Sequence, residues 1–342
     1  MSWGGEDVKQ RLTIQDIAAK AGVSIKTVSR VFNNSPNVRA EKRDLVFSVA
    51  SEMGYRPNIS ARQLASNRSF VIVHLSDNPN TDYLSRIYES MRSVCMERGY
   101  YAVAQQLRVK NNSYREALVD YLTRFEVDGI LLSPPISDDP AVIDEIIKRG
   151  IACALISPGT QQNDLINVFI DEEAAGRNIT EYMIARGHGN LAFVSGLDTH
   201  AASVRREAGF WAALDTNHLP RESGVKIAGD FSMQSGFEAF AELQKTKPET
   251  TAIFAANDEM AIGIIIAALQ AGKKIPEDLA VAGFDDSQFS RAMWPSVTSL
   301  AQPISDMIHT ATQQLIGWSE SGERGESQHL FPTEIRIRKS CP

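Results

Sequence analysis

Four residues near the amino terminus combine hydrogen-bonding groups and an apolar side chain at helical spacing. Ile25 and Ser29 are four residues apart. Lys26 and Arg30 have the same spacing, so all four side chains lie on one face of a predicted helix. Lysine and arginine donate to guanine edges or phosphates, serine bonds a phosphate or a base, and isoleucine packs on a thymine methyl group. The face suits a DNA major groove; the alternative is an ordinary amphipathic helix with a solvated basic face.

Two short helical patterns joined by a tight turn must position that face. In each pattern apolar residues recur at i, i+3 and i+4. The apolar positions are Ile14, Ile17 and Ala18 in the first and Val28, Val31 and Phe32 in the second. Since both faces can share one small core, residues 11 to 34 predict a helix-turn-helix.

The helix starts and the turn are marked as well. Thr13 precedes Asp16 by three residues, which predicts an N-cap for the first helix, and Ser24 is the predicted N-cap of the second. Gly22 suits the turn between them. A third helix is predicted from Ala40 to Met53, which completes a three-helix head. Its predicted buried face consists of Leu45, Val46, Val49 and Ala50.

The amino-terminal sixth of the chain is basic, although the whole chain is acidic. Residues 8 to 68 carry eleven Lys and Arg against four Asp and Glu, whereas residues 69 to 342 carry 24 against 36. The formal net charge of the chain is −7. Phosphate contacts supply much of the affinity of a basic DNA-binding segment. The charge distribution therefore favours the DNA-contact interpretation.

A short helical segment follows the head, from Ile59 to Ser66. It spans only about two helical turns, too few for a stable isolated helix in water, and predicts a conditional hinge helix. Ala61 permits close approach to a minor groove, and Leu64 has the size to enter a base step. The alternative is a linker helix that packs on the main body.

Beyond residue 70 the sequence alternates short apolar runs with helical patterns, which is typical of buried parallel strands and crossover helices. The predicted strands are 70–75, 129–132, 153–156, 191–194, 252–255 and 279–282. The predicted helices are 83–98, 113–125, 140–149, 172–186, 203–214, 234–245 and 258–271. Parallel sheets bind ligands at the carboxyl ends of their strands. Polar residues follow several of these strands and predict a ligand site there: 76–78, 133–135, 195–196, 257–258 and 285–286.

Composition argues against other classes of protein. The longest apolar run, from Met260 to Leu269, is too short to cross a bilayer, and the amino terminus has no apolar signal segment. We therefore expect no membrane partner and a cytoplasmic protein, associated with the nucleoid when bound to DNA. Three widely spaced cysteines predict reduced thiols. Six histidines without ligand spacing predict no metal site, and we expect no cofactor.

A set of motifs, in order along the chain, matches one known family. The motifs are TIQDIAAKAGVSxxTVSRVFN at 13–33, SARQLA at 60–65, REAGF at 206–210, GDFS at 229–232, ANDEMA at 256–261, GFDD at 283–286 and PSVTSL at 295–300. From residue 11 to its end the chain resembles the LacI/GalR transcription regulators. Each motif alone is weak, but the ordered set is specific.

The resemblance implies an α/β fold with a divided core. It implies an N-terminal helix-turn-helix three-helix head at 11–56, a hinge helix and linker at 57–69, and a two-subdomain core with parallel sheets, like the periplasmic sugar-binding proteins, at 70–342. The N-subdomain is expected at about 70–168 and 301–329, and the C-subdomain at about 169–300 and 330–342. It also implies a homodimer on double-stranded, pseudo-palindromic operator DNA.

The predicted site residues fall into two sets. The residues expected to contact DNA are Thr13, Ser24, Ile25, Lys26, Thr27, Ser29, Arg30, Asn33, Ala61 and Leu64. The residues expected to bind a small carbohydrate effector are Tyr83, Ser133, Ser157, Arg206, Phe231, Asn257 and Asp285. By the resemblance, Arg206 and Asp285 match positions that hold effector hydroxyls, and Phe231 matches an aromatic residue that stacks on a sugar face.

The chemistry of these three residues also fits a polyol. A guanidinium group donates a planar fork, a carboxylate accepts from vicinal hydroxyls, and an aromatic ring offers an apolar face. Each residue has a plainer alternative: Arg206 in a surface ion pair, Asp285 capping a helix and Phe231 in the core. Ser157 departs from the family, since several sugar-binding members carry aspartate there, and this leaves the sugar open. The tail from Arg338 to Pro342 has no leucine heptad, so no tetramer is expected.

The combined pattern predicts a sequence-specific transcriptional regulator, a repressor that a carbohydrate releases from its operator. One alternative is a nucleobase or other metabolite that acts as a corepressor. A transport-type binding protein would share the predicted ligand site, but it needs export, and a basic DNA-binding head has no role in transport. The remote alternative is an α/β enzyme acting on a sugar. No catalytic residue is predicted, because the chain lacks the G-x-G-x-x-G, G-x-x-x-x-G-K-[ST], G-x-S-x-G and H-E-x-x-H motifs.

Overall fold

The described residues of the first part of the chain form helices, and those of the rest form helices and two sheets. In this computed structural model the described residues are 12–32, 38–55, 66, 68–78, 80–107 and 113–342. The chain divides into two units, residues 1–69 and 70–342. The head, residues 11–56, lies in the first unit, and we call the second unit the body.

The head has a small apolar core shared by its described helices. These are α1 (Ile14–Ala21), α2 (Ile25–Phe32) and α3 (Ala40–Glu52). Ile17, Val28, Val31 and Val46 are fully buried between them. Gly22 ends α1 with a φ of 63°, a left-handed conformation that glycine adopts without a Cβ clash. The predicted helix-turn-helix is confirmed.

The predicted buried face of α3 is wrong at one residue. Leu45 is 45% exposed, whereas Val46, Val49 and Ala50 are buried. Met53 packs against the same core. Positions 46, 49, 50 and 53 form one helical stripe, and residue 45 lies about 100° around the helix from residue 46. Leu45 therefore projects away from α1 and α2.

Strands in the described part of the body form two sheets of six. The strands are β1 (Val71–Ser76), β2 (Tyr101–Gln106), β3 (Gly129–Leu132), β4 (Ala152–Ile156), β5 (Ile166–Ile170), β6 (Leu191–Val194), β7 (Gly224–Ile227), β8 (Ala252–Ala255), β9 (Ala280–Phe284), β10 (Thr298–Ala301), β11 (Gln328–Phe331) and β12 (Glu334–Arg336). Their order is β11-β5-β4-β3-β1-β2 in the first sheet and β12-β10-β9-β8-β6-β7 in the second. Neighbouring strands are parallel except for β10 and β12. The chain passes between the sheets after β5, after β10 and after β11.

Helices alternate with these strands and cover their apolar side chains. They are α4 (Thr81–Arg98), α5 (Tyr114–Arg124), α6 (Pro140–Arg149), α7 (Glu172–Ile184), α8 (Ala201–Thr216), α9 (Met233–Thr246), α10 (Asp258–Gln270), α11 (Gln288–Ala292) and α12 (Ile304–Ser321). Strands β3, β4, β6, β8 and β9 are wholly buried, as near-continuous apolar runs predict for a parallel sheet. The predicted α/β fold class is confirmed.

Two glycines bring α7 and α8 into close contact. A Cβ atom on Gly176 would overlap the main-chain oxygen of Arg206, and one on Gly209 would overlap the main-chain oxygen of Glu173. Only glycine fits at these two crossings without moving the helices. The close approach holds Glu172, at the start of α7, beside Arg206 on α8.

Candidate functional site

The predicted DNA-contacting face of α2 is open to solvent. Ile25 is 45% exposed, and Lys26 and Arg30 are also exposed. Ser29 is half-buried. Ile25 adds nothing to the core of the head, so its exposure beside two cations fits an apolar contact with a partner.

Hydrogen bonds at the starts of α1 and α2 confirm the predicted N-terminal residues of both helices. Ser24 Oγ accepts from the Thr27 N–H at 3.1 Å, and the two hydroxyl oxygens are 2.9 Å apart. The Asp16 carboxylate accepts from the N–H and the hydroxyl of Thr13 at 2.7 and 2.8 Å. These bonds from Thr13 lower the pKa of Asp16. The starts of both helices are thus fixed by their own side chains.

Three residues of the predicted DNA-contacting set, Asn33, Ala61 and Leu64, lie outside the described residues. The predicted hinge helix does too, apart from Ser66. Their roles stay predictions.

A cavity in the body lies where strands from both sheets end. Its lining residues are Asn78, Asn80, Tyr83, Pro134, Ser157, Glu172, His200, Ala202, Arg206, Phe231, Asn257, Asp285 and Gln302. The space between them is about 510 Å³, including its open mouth. Lining residues follow β1, β3 and β4 of the first sheet and β8, β9 and β10 of the second, which is where a parallel sheet binds ligands. Six of the seven predicted effector residues line this cavity.

Arg206 is the buried cation of the cavity. It is 5% exposed, and its Nε donates to Glu172 Oε2 at 2.7 Å while Nη1 donates to the main-chain oxygen of Ala256 at 2.6 Å. Its guanidinium carbon lies 3.4 Å from the centroid of the Phe284 ring. Burial alone would lower the pKa of Arg206, but Glu172 and Asp285 raise it above its ordinary value. The alternative of a surface ion pair is therefore wrong.

Asp285 faces the same cavity from the end of β9. Its φ of 102° is rare for a residue with a Cβ atom, and such backbone strain is common at functional sites. Gln302 Nε2 donates to Asp285 Oδ1 at 2.5 Å, and Arg86 Nη1 donates to its main-chain oxygen at 2.7 Å. Burial raises the pKa of Asp285 to about 7, against the lowering effect of Arg206. The cap of α11 is Ser287 instead, so the helix-cap alternative is wrong.

Two aromatic rings form one wall of the cavity. Phe231 has a φ of 69°, and its ring occupies the space that a side chain at Gly196 would need. Its centroid lies 5.3 Å from that of His200, edge to face. Burial lowers the pKa of His200 to about 4, so its imidazole is neutral. Asn257 caps α10 and donates through Nδ2 to the Phe231 main-chain oxygen at 2.8 Å.

The remaining predicted effector residues are placed differently from one another. Tyr83 on α4 and Ser157 after β4 line the cavity. Ser133 does not: it is fully buried, and its Oγ lies 3.0 Å from His74 Nε2. This hydroxyl is the hydrogen-bond partner of a buried imidazole, so the structure does not bring Ser133 to the other residues.

Seven lining residues are not among the predicted effector residues: Asn78, Asn80, Pro134, Glu172, His200, Ala202 and Gln302. Asn78 and Pro134 nevertheless fall in the polar segments 76–78 and 133–135 that predict a ligand site. Asn78, Pro134 and Gln302 stand within two residues of a strand end, the signal that locates the others. Glu172 also stands two residues after a strand, β5, but β5 is not among the predicted strands. His200 lies six residues beyond the end of β6 and has no such signal.

Glu259 joins two lining residues. Its Oε2 accepts from Asn80 Nδ2 at 2.8 Å and from Asn257 Nδ2 at 2.9 Å. Burial, with Asp285 and Asp258 adding to it, raises the pKa of Glu259 to about 8. A raised folded-state pKa means that the protonated group stabilises the fold fully below its ordinary value, and that this contribution is lost as pH rises through about 8.

We expect Glu259→Gln, which mimics the protonated acid, to flatten part of the pH dependence of stability. The melting temperature of the wild type should fall more than that of the variant between about pH 5 and about pH 8. Glu277→Gln removes an exposed carboxylate and is the matched control. Parallel curves for the wild type and Glu259→Gln in thermal denaturation across this range would contradict the assignment.

Within the ranges that the structure describes, no cluster of three His, Cys, Asp or Glu side chains has the arrangement of a metal site. A search of the same ranges finds no helix with the length and apolar content to span a bilayer.

Family models match both units. The model for bacterial regulatory proteins of the lacI family matches residues 13–58, and that for a periplasmic binding protein-like domain matches 180–341. Catabolite control protein A of Priestia megaterium is 32% identical over 334 residues, which cover 96% of this chain and 99% of the relative. The repressor PurR of Erwinia tasmaniensis is 30% identical, with 95% and 96% covered.

Solved structures of similar fold match nearly the full length of the chain. The lac repressor dimer bound to operator and the anti-inducer ONPF has a TM-score of 0.79 at 26% identity, with 97% of this chain and 99% of that chain covered. The complex of the transcriptional regulator CelR with cellobiose has a TM-score of 0.72 at 28% identity, with 96% and 100% covered.

The chain belongs to the LacI family of sequence-specific, DNA-binding transcriptional repressors that respond to small-molecule effectors. It is a regulator and not an enzyme, because its relatives are regulators over the same length. The predicted family is confirmed.

Proposed function

We propose that the protein is a homodimer that binds a pseudo-palindromic operator and leaves it when a small carbohydrate fills the body cavity. The observation that carries this proposal is the buried set of Arg206, Glu172 and Asp285 facing the Phe231 ring in one cavity. The guanidinium donates to ring hydroxyls, the carboxylates accept from them, and the aromatic ring packs on the C–H face of the sugar.

The two units have separate roles, DNA binding and effector binding. The head at 11–56 places the exposed face of α2 in the major groove, and the hinge at 57–69 enters the minor groove through Leu64. The body, residues 70–342, has an N-subdomain at about 70–168 and 301–329 and a C-subdomain at about 169–300 and 330–342. The bodies of two chains join in the dimer. The effector shifts the N-subdomains against each other, and each tenfold loss of operator affinity needs about 1.4 kcal/mol of coupling. The protein works in the cytoplasm, at the nucleoid when bound to DNA.

A nucleobase corepressor is the second candidate. The edge-to-face pair of Phe231 and His200 favours it, since a flat aromatic ligand stacks on such a wall. A sugar and a nucleobase differ in how much their binding depends on Glu172 and Asp285. A polyol donates hydroxyl hydrogen bonds to both side chains at once.

The proposal is tested in two steps. Selection from random duplexes should enrich a symmetric site, and a thermal-shift screen of sugars and nucleobases should find a ligand that raises the melting temperature. Operator binding, followed by fluorescence anisotropy, should weaken when that ligand is a sugar. Enrichment of no symmetric site, or a screen in which only nucleobases respond, would contradict the sugar-released repressor.

Lys26 and Arg30 should contribute to operator binding in one of two distinguishable ways. If Lys26 donates to a base, we expect Lys26→Ala to lose about 1–3 kcal/mol and to relax the preference at one position per half-site. If it pairs with a phosphate, all sequences should weaken alike and the salt dependence should become shallower. The same comparison applies to Arg30→Ala. Lys245→Ala, an exposed site in the body, is the control; equal effects of Lys26→Ala and Lys245→Ala would exclude α2 from the interface.

A further inference from the structure

Three buried polar atoms of the cavity have no protein partner. Among the described residues, Ser157 Oγ, Glu172 Oε1 and His200 Nε2 are buried without a hydrogen bond. All three residues line the cavity and are at most 8% exposed. Buried polar groups are rarely left unpaired, so the three atoms mark where a ligand completes the hydrogen bonding.

The charge of the lining limits what that ligand can be. Its charged side chains are Arg206 against Glu172 and Asp285. Glu172 neutralises Arg206 through Oε2 at 2.7 Å, which leaves Oε1 as an acceptor. Arg86 lies outside the lining and donates to the main-chain oxygen of Asp285. The lining therefore offers acceptors to a ligand and has no uncompensated cation for an anion.

We infer that the effector is rich in hydrogen-bond donors and has no anionic group: an uncharged or amine-bearing sugar, and not a uronate or a sugar phosphate. This inference rests on the proposed function. A hydroxyl or ammonium group donates to Glu172 Oε1, and Ser157 Oγ and His200 Nε2 each bond a further polar atom of the ligand. A carboxylate or phosphate would face the carboxylate of Glu172 and the carboxyl group of Asp285, and like charges in a low-dielectric site repel strongly.

A matched panel of ligands tests the charge rule with the full-length protein. For glucose and for galactose, binding of the neutral sugar, the 2-amino sugar, the uronate and the 6-phosphate is measured by calorimetry. We expect the best neutral or amino member to bind at least tenfold more tightly than the uronate and the phosphate of the same sugar. A uronate or phosphate that binds more tightly than its neutral parent overturns the inference.

A charge-removing variant gives a second readout. Glu172→Gln should lower the discrimination against the uronate, whereas Glu173→Gln, an exposed neighbour on the same helix, should leave it unchanged. Equal discrimination in both variants overturns the role of Glu172. If Glu172→Gln fails to fold, the panel with the wild type decides alone. The outcomes also separate the two proposals. Release of the operator by an acidic sugar would contradict the charge rule alone, whereas sugar binding without any change in operator affinity would contradict the proposed function.

Discussion

Arg206→Ala is expected to abolish the response to the effector while the operator is still bound. The substitution removes the guanidinium fork and leaves Glu172 and Asp285 buried without their cation. Breaking a buried ion pair by removing one partner typically costs about 3–5 kcal/mol, so the body should also melt at a lower temperature. The measurement is operator binding by anisotropy with and without effector, below the melting temperature of the variant.

Two controls separate the loss of a ligand contact from the loss of stability. Arg206→Lys keeps a positive charge but not the planar fork, so it should regain much of the stability and little of the effector response. Arg177→Ala removes an exposed arginine on α7 and should behave as the wild type. A normal effector response in Arg206→Ala would remove Arg206 from the binding site.

Gly209→Ala is expected to destabilise the body although it adds one methyl group. The new Cβ would overlap the main-chain oxygen of Glu173, which cannot move without displacing α7. Overpacking of this kind typically costs about 1–3 kcal/mol, occasionally more, and one kcal/mol lowers the melting temperature of a large domain by about 2–4 °C. Because the same crossing holds Glu172 beside Arg206, effector affinity should fall as well.

Gly317→Ala is the matched control for this prediction. Gly317 lies in α12, and an added Cβ meets no atom within 4 Å. Alanine is favoured over glycine in a helix interior by about 0.5–1 kcal/mol, so this variant should melt slightly higher than the wild type. Thermal denaturation of both variants decides the matter. Equal shifts for the two would mean that the α7–α8 crossing tolerates a side chain.

The described helix-turn-helix of the head could be predicted from local patterns. The apolar spacing of Ile17, Val28 and Val31 specifies the core, and Ser24 and Gly22 specify the helix start and the turn, all within twenty residues. Leu45 could not be placed correctly, because an apolar residue next to a buried stripe has the same local pattern whether it faces the core or solvent. The choice depends on where α3 packs.

Strands at the edges of the sheets escaped prediction for a related reason. β2 and β7 are only partly buried and carry few of the long apolar runs that identify central strands. β5 and β10 are interior strands, but polar residues interrupt their apolar runs: Asn167 in β5, and Thr298 and Ser299 in β10. The six predicted strands are interior strands whose near-continuous apolar residues can be recognised without knowledge of their partners.

The lining of the cavity was predictable where the lining residues follow the ends of predicted strands. Asp285 follows β9 directly and Asn257 follows β8 after one residue, so topology alone brings them together. Glu172 was missed because β5, the strand that precedes it, was not predicted. Two glycines that let α7 approach α8 then hold it beside Arg206. Ser133 follows a strand too, but its side chain pairs with His74 in the interior. The ends of the strands therefore indicate at which edge of the sheets the site lies, whereas packing decides which side chains line it.

The central claim is that a ligand in the body controls the affinity of the head for DNA. One titration tests it most directly. A labelled duplex from the selection is titrated with full-length protein at two salt concentrations, with and without the sugar found by thermal shift. We predict salt-sensitive binding that the sugar weakens by about tenfold or more. Binding that is insensitive to salt, or a curve that the sugar leaves in place, would contradict the account.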